Sequence, residues 1–201
     1  MEAVIEHVLA VARREIGVKE QGPNNCGPRV KEYLAAVGLP EGNPWCAAWV
    51  AWCFQRASVH RWPMTGDTWA LETWGRQQKV LKVVAEPGDV FLVRGSNGRP
   101  IHTGLVSSVA GNRIGTIEGN TGGPSDTDGD GVYAKTRPMG ACDFIRWIYS
   151  DVRWKPAEKV LKIFAHDGKR SVVIEGETHH VSALVINGED APSVQVVCLY
   201  S

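Results

Sequence analysis

The chain has 201 residues, enough for one ordinary domain or for one domain with a small appendage. Hydrophobic residues make up 43% of the sequence and charged residues 22%, which is typical of a globular protein with a sizeable core. The 22 basic and 22 acidic residues balance. This zero net charge gives no indication of a basic face for nucleic acid or for an anionic membrane, and neither partner is expected.

The N-terminal segment MEAVIEHVLAVARREIG lacks the pattern of a signal peptide, because Glu2 and Glu6 interrupt it and no basic region precedes an apolar run. No stretch reaches the length of a membrane span. We therefore expect synthesis in the cytoplasm and no membrane insertion. The five cysteines are odd in number and irregularly spaced, so a disulfide framework is not expected. The absence of a CxxC pair argues against a zinc site.

Helices are predicted in the first part of the chain. Apolar residues recur at helical spacing over residues 2–16, and Gly17 ends this helix. A second helix begins at Pro28 and closes at Gly38, since proline suits a first helical turn and glycine a C-terminal cap. A short helix, TWALETW, precedes Gly75.

The pattern changes after residue 78 to short β-rich runs separated by Gly, Pro and Asn turns. These runs are VLKVVA, DVFLVR, HTGLVSSV, NRIGTIEG, GVYAKTR and DFIRWIY. Helices followed by strands predict an α+β domain over residues 1–150, with N-terminal helices packed on an antiparallel β-sheet. The segment SDVRWKPAEK is interpreted as a linker, and residues 156–201 as a separate small β unit.

The segment NPWCAAWVAWCF places a cysteine at the start of a third predicted helix, which runs to about Ala57. Asn43 is a suitable N-cap and Pro44 a suitable first residue, which puts Cys46 in the first helical turn. Unpaired N–H groups and the helix dipole favour negative charge there. A thiolate nucleophile would be stabilised, and the Cys46 N–H could bind an oxyanion. The alternative is a buried core cysteine.

A cysteine nucleophile needs a base, and the base needs an orienting group. His102 begins the run HTGLVSSV, and the next run ends in Glu118 and Asn120. A short turn between the two strands would make His102 and Glu118 neighbours, while Glu118 and Asn120 would share one face of an extended strand. The alternative is an exposed cross-strand ion pair beside a loop asparagine.

Four motifs in this order, NPWCAAWVAWCF, GDVFLV, IHTGLVSSV and IEGNTGG…GDGVYAKTR, resemble the CHAP domain, a papain-like cysteine peptidase or amidase domain related to NlpC/P60. The resemblance covers roughly residues 1–150. It implies a papain-like fold, with Cys46 as nucleophile, His102 as base, Glu118 as orienting residue and Asn120 as a further polar residue of the site. It also implies cleavage of amide bonds in peptidoglycan, as endopeptidase or N-acetylmuramoyl-L-alanine amidase, in the manner of phage lysins.

Two alternatives remain open: an amidase acting on a small peptide-like substrate of the glutathionylspermidine type, and a catalytically inactive module that binds wall peptides. Without a signal peptide, an enzyme of this kind would reach the wall after release or export. The C-terminal β unit would then be either a wall-binding module or a packing extension.

One further motif, DTDGDG, matches the start of an EF-hand loop and makes Asp126, Asp128 and Asp130 weak calcium candidates. Arg137 stands at the twelfth position, where such a loop requires a bidentate glutamate. A polar turn is therefore the preferred interpretation, and neither a metal nor another cofactor is expected.

Overall fold

A computed structural model describes residues 2–59, 61–122 and 129–147, together with three strands between residues 162 and 181. The chain divides into two compact units, residues 1–154 and residues 155–201. In the described ranges, no helix is both long enough and apolar enough to cross a membrane.

Four helices open the first unit, as the apolar spacing predicts. They are α1 (Glu2–Arg14), α2 (Pro28–Ala36), α3 (Cys46–Arg56) and α4 (Thr68–Gln77). Helix α2 carries its proline in the first turn, and helix α4 is capped by the Asp67 side chain, which accepts a hydrogen bond from the Trp69 N–H at 2.9 Å. Sequence spacing thus predicts these elements well, although α1 ends two residues before the predicted boundary.

The predicted cap of α3 is wrong. The helix begins at Cys46 with Trp45 in the cap position, so Cys46 is the first helical residue and not the third. The Asn43 side chain instead donates a hydrogen bond to the Pro40 carbonyl at 3.0 Å, because its amide closes the preceding turn. Cys46 nevertheless remains in the first turn, where backbone N–H groups lack helical partners.

Six antiparallel strands form the sheet of the first unit, in the order β1-β6-β2-β3-β4-β5. Their bounds are β1 (Leu81–Lys82), β2 (Val90–Arg94), β3 (Pro100–Ala110), β4 (Arg113–Thr121), β5 (Gly131–Pro138) and β6 (Cys142–Ile145). The predicted α+β class, with helices on an antiparallel sheet, is confirmed. Strand β1 is shorter than the run VLKVVA suggested, since Val83 and Val84 lie outside it and are exposed.

Helix α3 forms the centre of the core. Its first nine residues, Cys46 to Phe54, are all buried, and the helix packs against α1, α2, β3 and β4. Trp45 anchors its beginning: the ring is fully buried, stacks on Tyr33 at 5.4 Å between centroids, and donates from Nε1 to Glu20 Oε1 at 2.8 Å. The start of α3 is therefore held from several sides.

The second unit contains three antiparallel strands in the order β7-β8-β9, namely β7 (Lys162–His166), β8 (Lys169–Ile174) and β9 (Glu177–Val181). The register pairs His166 with Lys169, the first and last residues of the predicted turn HDGK, whose two central residues lie outside the described residues. The predicted linker SDVRWKPAEK and the final run SVQVVCLY lie outside the described residues.

Candidate active site

Cys46 lies at the N-terminus of α3 with 5% of its surface exposed. The Trp49 N–H donates to the Trp45 carbonyl at 2.8 Å, so the N–H groups of Cys46, Ala47 and Ala48 precede the helical hydrogen-bond ladder. These groups and the helix dipole favour negative charge at the sulfur or beside it. The thiol thus has a narrow opening to solvent and an electropositive backbone around it.

His102 lies on β3, opposite Val93 of β2, and is completely buried. Its Nε2 atom is 2.9 Å from Glu118 Oε2 on β4. Its Nδ1 atom is buried and has no hydrogen-bond partner among the residues the structure describes. The glutamate therefore occupies one ring nitrogen and leaves the other one available.

A glycine two residues after His102 allows the strands to approach this closely. A Cβ atom on Gly104 would lie 2.7 Å from the Ile117 carbonyl oxygen and 2.8 Å from the Phe91 ring. Phe91 also contacts the histidine, with 6.1 Å between ring centroids. The H-x-G pattern in the sequence thus has a steric reason, since any larger residue would separate β3 from β4.

Glu118 is fully buried, and each of its carboxylate oxygens accepts two hydrogen bonds. Arg137 on β5 donates from Nε to Oε1 and from Nη2 to Oε2, both at 2.6 Å. The Thr116 hydroxyl donates to Oε1 at 2.5 Å, and His102 completes the set at Oε2. The alternative of an exposed cross-strand pair is wrong, because neither His102 nor Glu118 meets solvent.

Sequence reasoning missed the role of Arg137 and considered it only as a position in a calcium loop. Residues 133, 135 and 137 alternate with their neighbours along β5, and Glu118 pairs with Tyr133 in the strand register. Arg137 therefore lies on the same face of β5 as the partner of Glu118, and its long side chain spans the remaining distance. That alternation in GVYAKTR is the signal that could have identified it.

Charges within the site reinforce one another. Burial alone would lower the pKa of His102, but its interactions with the nearby Cys46 and with Glu118 raise it from 6.5 to about 9. Burial alone would raise the pKa of Glu118, but Arg137 and His102 lower it from 4.5 to about 2. The structure thus brings Cys46, His102 and Glu118 together and favours an imidazolium beside a carboxylate; their catalytic roles stay predictions.

Asn120 is also buried, yet it departs from the predicted geometry. Its φ of 54° lies in the left-handed region, and the β4–β5 register shifts between Glu118 and Thr121. The regular alternation that would place Asn120 on the face of Glu118 is therefore interrupted. The Asn120 Oδ1 atom has no hydrogen-bond partner within the described ranges. Its role in the site stays a prediction.

Gly119 sets the distance between this strand and α3. A Cβ atom at this position would lie 2.7 to 2.8 Å from atoms of Trp49 and Trp45. Real Cβ contacts are almost never this short, so β4 lies against the beginning of α3 only because residue 119 has no side chain. The thiol and the histidine–glutamate pair come from different elements, and this contact holds those elements together.

The other candidate residues lie elsewhere or have structural partners. Asp130 accepts from Lys19 Nζ at 2.8 and 2.9 Å and from the Tyr133 hydroxyl at 2.6 Å, while Asp126 and Asp128 lie outside the described residues. In the described part of the chain, no cluster of three metal-ligating side chains occurs. Four cysteines are free thiols, namely Cys26, Cys46, Cys53 and Cys142, and Cys198 is outside the described ranges.

The comparison with family models agrees with this site. Residues 38–120 match the model described as the CHAP domain, a range that includes Cys46, His102, Glu118 and Asn120. The resemblance seen in the sequence motifs is confirmed by this match, which covers residues 38–120. CHAP domains are generally hydrolases of the cysteine peptidase or amidase type, and the α+β fold is compatible with their papain-like architecture. Searches of curated proteins and of solved structures returned no match.

Proposed function

We propose that this protein is a thiol-dependent hydrolase that cleaves amide bonds in peptidoglycan. The observation that carries the proposal is the arrangement of His102, whose Nε2 is held by Glu118 while its buried Nδ1 has no other described partner and its pKa responds to Cys46. A thiol at a helix start, beside a histidine oriented by a carboxylate, is the arrangement that nucleophilic acyl transfer requires. The CHAP match supports an amide as substrate.

The reaction begins from a thiolate–imidazolium pair, in which the thiol proton of Cys46 lies on Nδ1 of His102. The sulfur attacks the substrate carbonyl carbon, and the N–H of Cys46 at the helix start stabilises the oxyanion. The carbon–nitrogen bond then breaks, and the leaving amine takes the proton from His102. Water attacks the thioester carbonyl and gives one proton to His102; the carbon–sulfur bond breaks, which releases the carboxylic acid product and the Cys46 thiolate and so restores the starting thiolate–imidazolium pair. Glu118 holds the imidazolium in place throughout.

The substrate would reach the site at the sulfur, because His102 and Glu118 are sealed from solvent and Trp45 is fully buried. The full burial of Trp45 favours a packing role for this residue over the lining of a sugar groove. Stem peptides of the wall present extended amide chains, which suit a narrow opening. We further propose that the enzyme acts on the wall after release or export from the cytoplasm where it is made.

The test is digestion of purified peptidoglycan by the wild type, by Cys46→Ala and by Cys26→Ala, with mass analysis of the products. We expect lysis by the wild type and by Cys26→Ala, because Cys26 lies outside the site, and none by Cys46→Ala. A variant Cys46→Ala with activity within a few-fold of the wild type, about 1 kcal/mol in the barrier, would contradict the nucleophile.

The product masses decide between the finer alternatives. Release of intact stem peptides from the glycan indicates an N-acetylmuramoyl-L-alanine amidase, and cleaved peptides or cross-bridges indicate an endopeptidase. Wall binding without any product would identify an inactive binding module. Hydrolysis of a glutathionylspermidine-type amide together with intact wall would identify a small-substrate amidase.

A further inference from the structure

Arg137 is the strongest feature of the site to which the sequence motifs assign no role, and it lies outside the matched family range, which ends at residue 120. Its guanidinium binds both oxygens of Glu118 at 2.6 Å, and only 11% of its side chain is exposed. It also lies over the Phe91 ring, at 5.5 Å from the centroid, which fixes the plane of the guanidinium next to the histidine.

We propose that Arg137 is a positioning residue that fixes Glu118 as an ionised hydrogen-bond acceptor and thereby keeps the His102 ring directed at Cys46. This inference rests on the proposed function, because it assigns a role within the same site. A buried carboxylate without a cation would be favoured in its protonated form. A protonated Glu118 could no longer support an imidazolium at His102, and its side chain could rotate freely between donors and acceptors.

The geometry of the Arg137–Glu118 pair allows Glu118 to bind the guanidinium and to orient the imidazole of His102 at the same time. Arg137 approaches through Nε and Nη2 and takes one lone pair on each oxygen, in the planar bidentate arrangement that only a guanidinium provides. The remaining position on Oε2 is occupied by His102, and the remaining position on Oε1 by Thr116. With three bonds from two partners, Arg137 and Thr116, holding the carboxylate, the fourth bond can orient the imidazole without rotating the glutamate.

Few other charged groups surround Glu118. His102 faces it from β3 and Arg137 from β5, while Cys46 reaches it only through the histidine. Cys142 at the start of β6 also interacts with both Glu118 and Arg137. Burial raises the pKa of Cys142 to about 11, so this thiol is neutral at ordinary pH and contributes no competing charge. The charge of Arg137 is therefore the main counterpart of the glutamate besides the histidine.

The experiment compares the wild type with Arg137→Met, which keeps length and removes charge, and Arg137→Lys, which keeps charge and loses the bidentate fork. The matched control is Arg29→Met, because Arg29 binds the buried Glu15 in the same bidentate way outside the site. Two quantities are measured: the pH dependence of kcat/KM on peptidoglycan, and the pH midpoint of the Glu118 carboxyl carbon by NMR, assigned with Glu118→Gln.

We expect Arg137→Met to raise the Glu118 midpoint by about one to three pH units, as loss of an adjacent cation does. The acid limb of kcat/KM should move upward with it, so that for a rise of about two units from the wild-type value of about 2, activity at pH 3 falls about tenfold further below its neutral value than in the wild type. For Arg137→Lys, the Glu118 midpoint and the acid limb should lie between those of the wild type and those of Arg137→Met. Arg29→Met should lose thermal stability with an unchanged pH profile.

An unchanged Glu118 midpoint in Arg137→Met overturns the proposal, as does a pH profile that moves equally in Arg29→Met. If Arg137→Met does not fold, Arg137→Lys decides by the same two measurements; if neither folds, Arg137 is structural and the proposal fails. A raised midpoint in a protein that hydrolyses no wall substrate would leave this proposal standing and overturn the proposed function. The two failures are thus distinguishable.

Discussion

Two buried carboxylates in this protein are held in nearly the same way, but only one has a histidine beside it. Glu118 accepts from Arg137 at 2.6 and 2.6 Å and from the Thr116 hydroxyl at 2.5 Å. Glu15, between α1 and α2, accepts from Arg29 at 2.7 and 2.8 Å and from the Tyr33 hydroxyl at 2.5 Å. An arginine fork with a hydroxyl therefore serves twice in this domain to bury a glutamate.

The difference between the two lies in the nearest cysteine and the nearest histidine. Cys53 lies close enough to Glu15 for the carboxylate to influence it, and burial raises the pKa of Cys53 well above its usual value. Cys46 instead interacts with His102, which Glu118 orients. Both cysteines belong to α3, so the place along the helix and the presence of an imidazole distinguish a core thiol from a candidate nucleophile.

The largest expected effect is the difference in turnover between the two matched variants Glu118→Gln and Glu15→Gln. Each change leaves an arginine without its carboxylate, which costs stability; for the buried Glu118 pair we expect about 3–5 kcal/mol. The loss at Glu15 should be smaller, since one third of the Arg29 side chain is exposed. Turnover should fall about 10- to 10³-fold in Glu118→Gln only, because only His102 loses its orienting group.

Turnover on wall fragments and thermal midpoints, measured side by side for both variants, test this expectation. Equal turnover in the two folded variants would mean that Glu118 stabilises the domain and does not serve the reaction. Asn120 would then be the next candidate for orienting His102.

The next effect concerns alkaline pH. His102 has a raised pKa of about 9, so its proton, which the leaving amine needs, is lost as the pH rises through that value. We expect kcat/KM to fall about tenfold for each pH unit above about 9. In Glu118→Gln this decline should begin at lower pH, since the carboxylate no longer favours the imidazolium, while Glu15→Gln should follow the wild type.

The pKa shifts of His102 and Glu118 also determine the direction in which the free energy of unfolding changes with pH. The contribution of His102 to the free energy of unfolding is fully present below its unfolded pKa of 6.5 and is lost between 6.5 and about 9. The contribution of Glu118 is present above 4.5 and is lost as the pH falls toward about 2. Denaturant titrations across this range check both signs, and stability rising from pH 6.5 to 9 would contradict the assignment for His102.

A third, intermediate effect is expected at Gly119, which places the Glu118 strand against α3. Gly119→Ala would force a Cβ into Trp49 and Trp45 and should cost about 1–3 kcal/mol of stability by overpacking. Because the strand would move away from Cys46, turnover should fall as well. Gly140→Ala is the matched control, since no atom lies within 4 Å of the added Cβ. Wild-type turnover in a folded Gly119→Ala would show that this contact does not set the site geometry.

The smallest effect is expected from removing the second unit. Both carboxylate clusters lie within residues 1–154, and the β unit of residues 155–201 is a separate compact body. A chain ending at residue 154 should fold and cleave small wall fragments within about twofold of the full chain, a difference below about 0.5 kcal/mol in the barrier. Circular dichroism and turnover on such fragments check this. An unfolded fragment would show that the C-terminal unit is a packing extension.

The sequence predicted the parts of the molecule that depend on local periodicity and on residue chemistry. Apolar spacing located the helices, β-rich runs located most of the sheet, and the contexts of Cys46, His102 and Glu118 indicated residues that the fold brings together. These features follow from one element at a time or from a single short hairpin.

The remaining features depend on competition between contacts that are distant in sequence or irregular in backbone. Asn43 closes a turn instead of capping α3, and Asn120 adopts a left-handed conformation that interrupts the strand alternation. Arg137 reaches Glu118 diagonally along the strand pair, from a residue that pairs with Ile114 and not with Glu118. Residue propensities do not predict which of two possible hydrogen bonds a side chain makes. A single β-bulge also changes the sheet face on which every later residue of the strand lies.

The complete burial of His102 has a consequence for the movement of protons during the proposed reaction. A ring that touches no solvent has no direct contact with buffer ions, so within a single turnover the proton that leaves with the amine is the one that Cys46 supplied. Slower equilibration of the ring with the bulk pH is not affected. The hydrolytic water replaces it when the thioester is cleaved. We therefore expect turnover to be independent of buffer concentration at constant pH, because the protons pass only between Cys46, His102, the amine and the hydrolytic water. We also expect the imidazole to resist acylation by diethyl pyrocarbonate while the thiol still reacts.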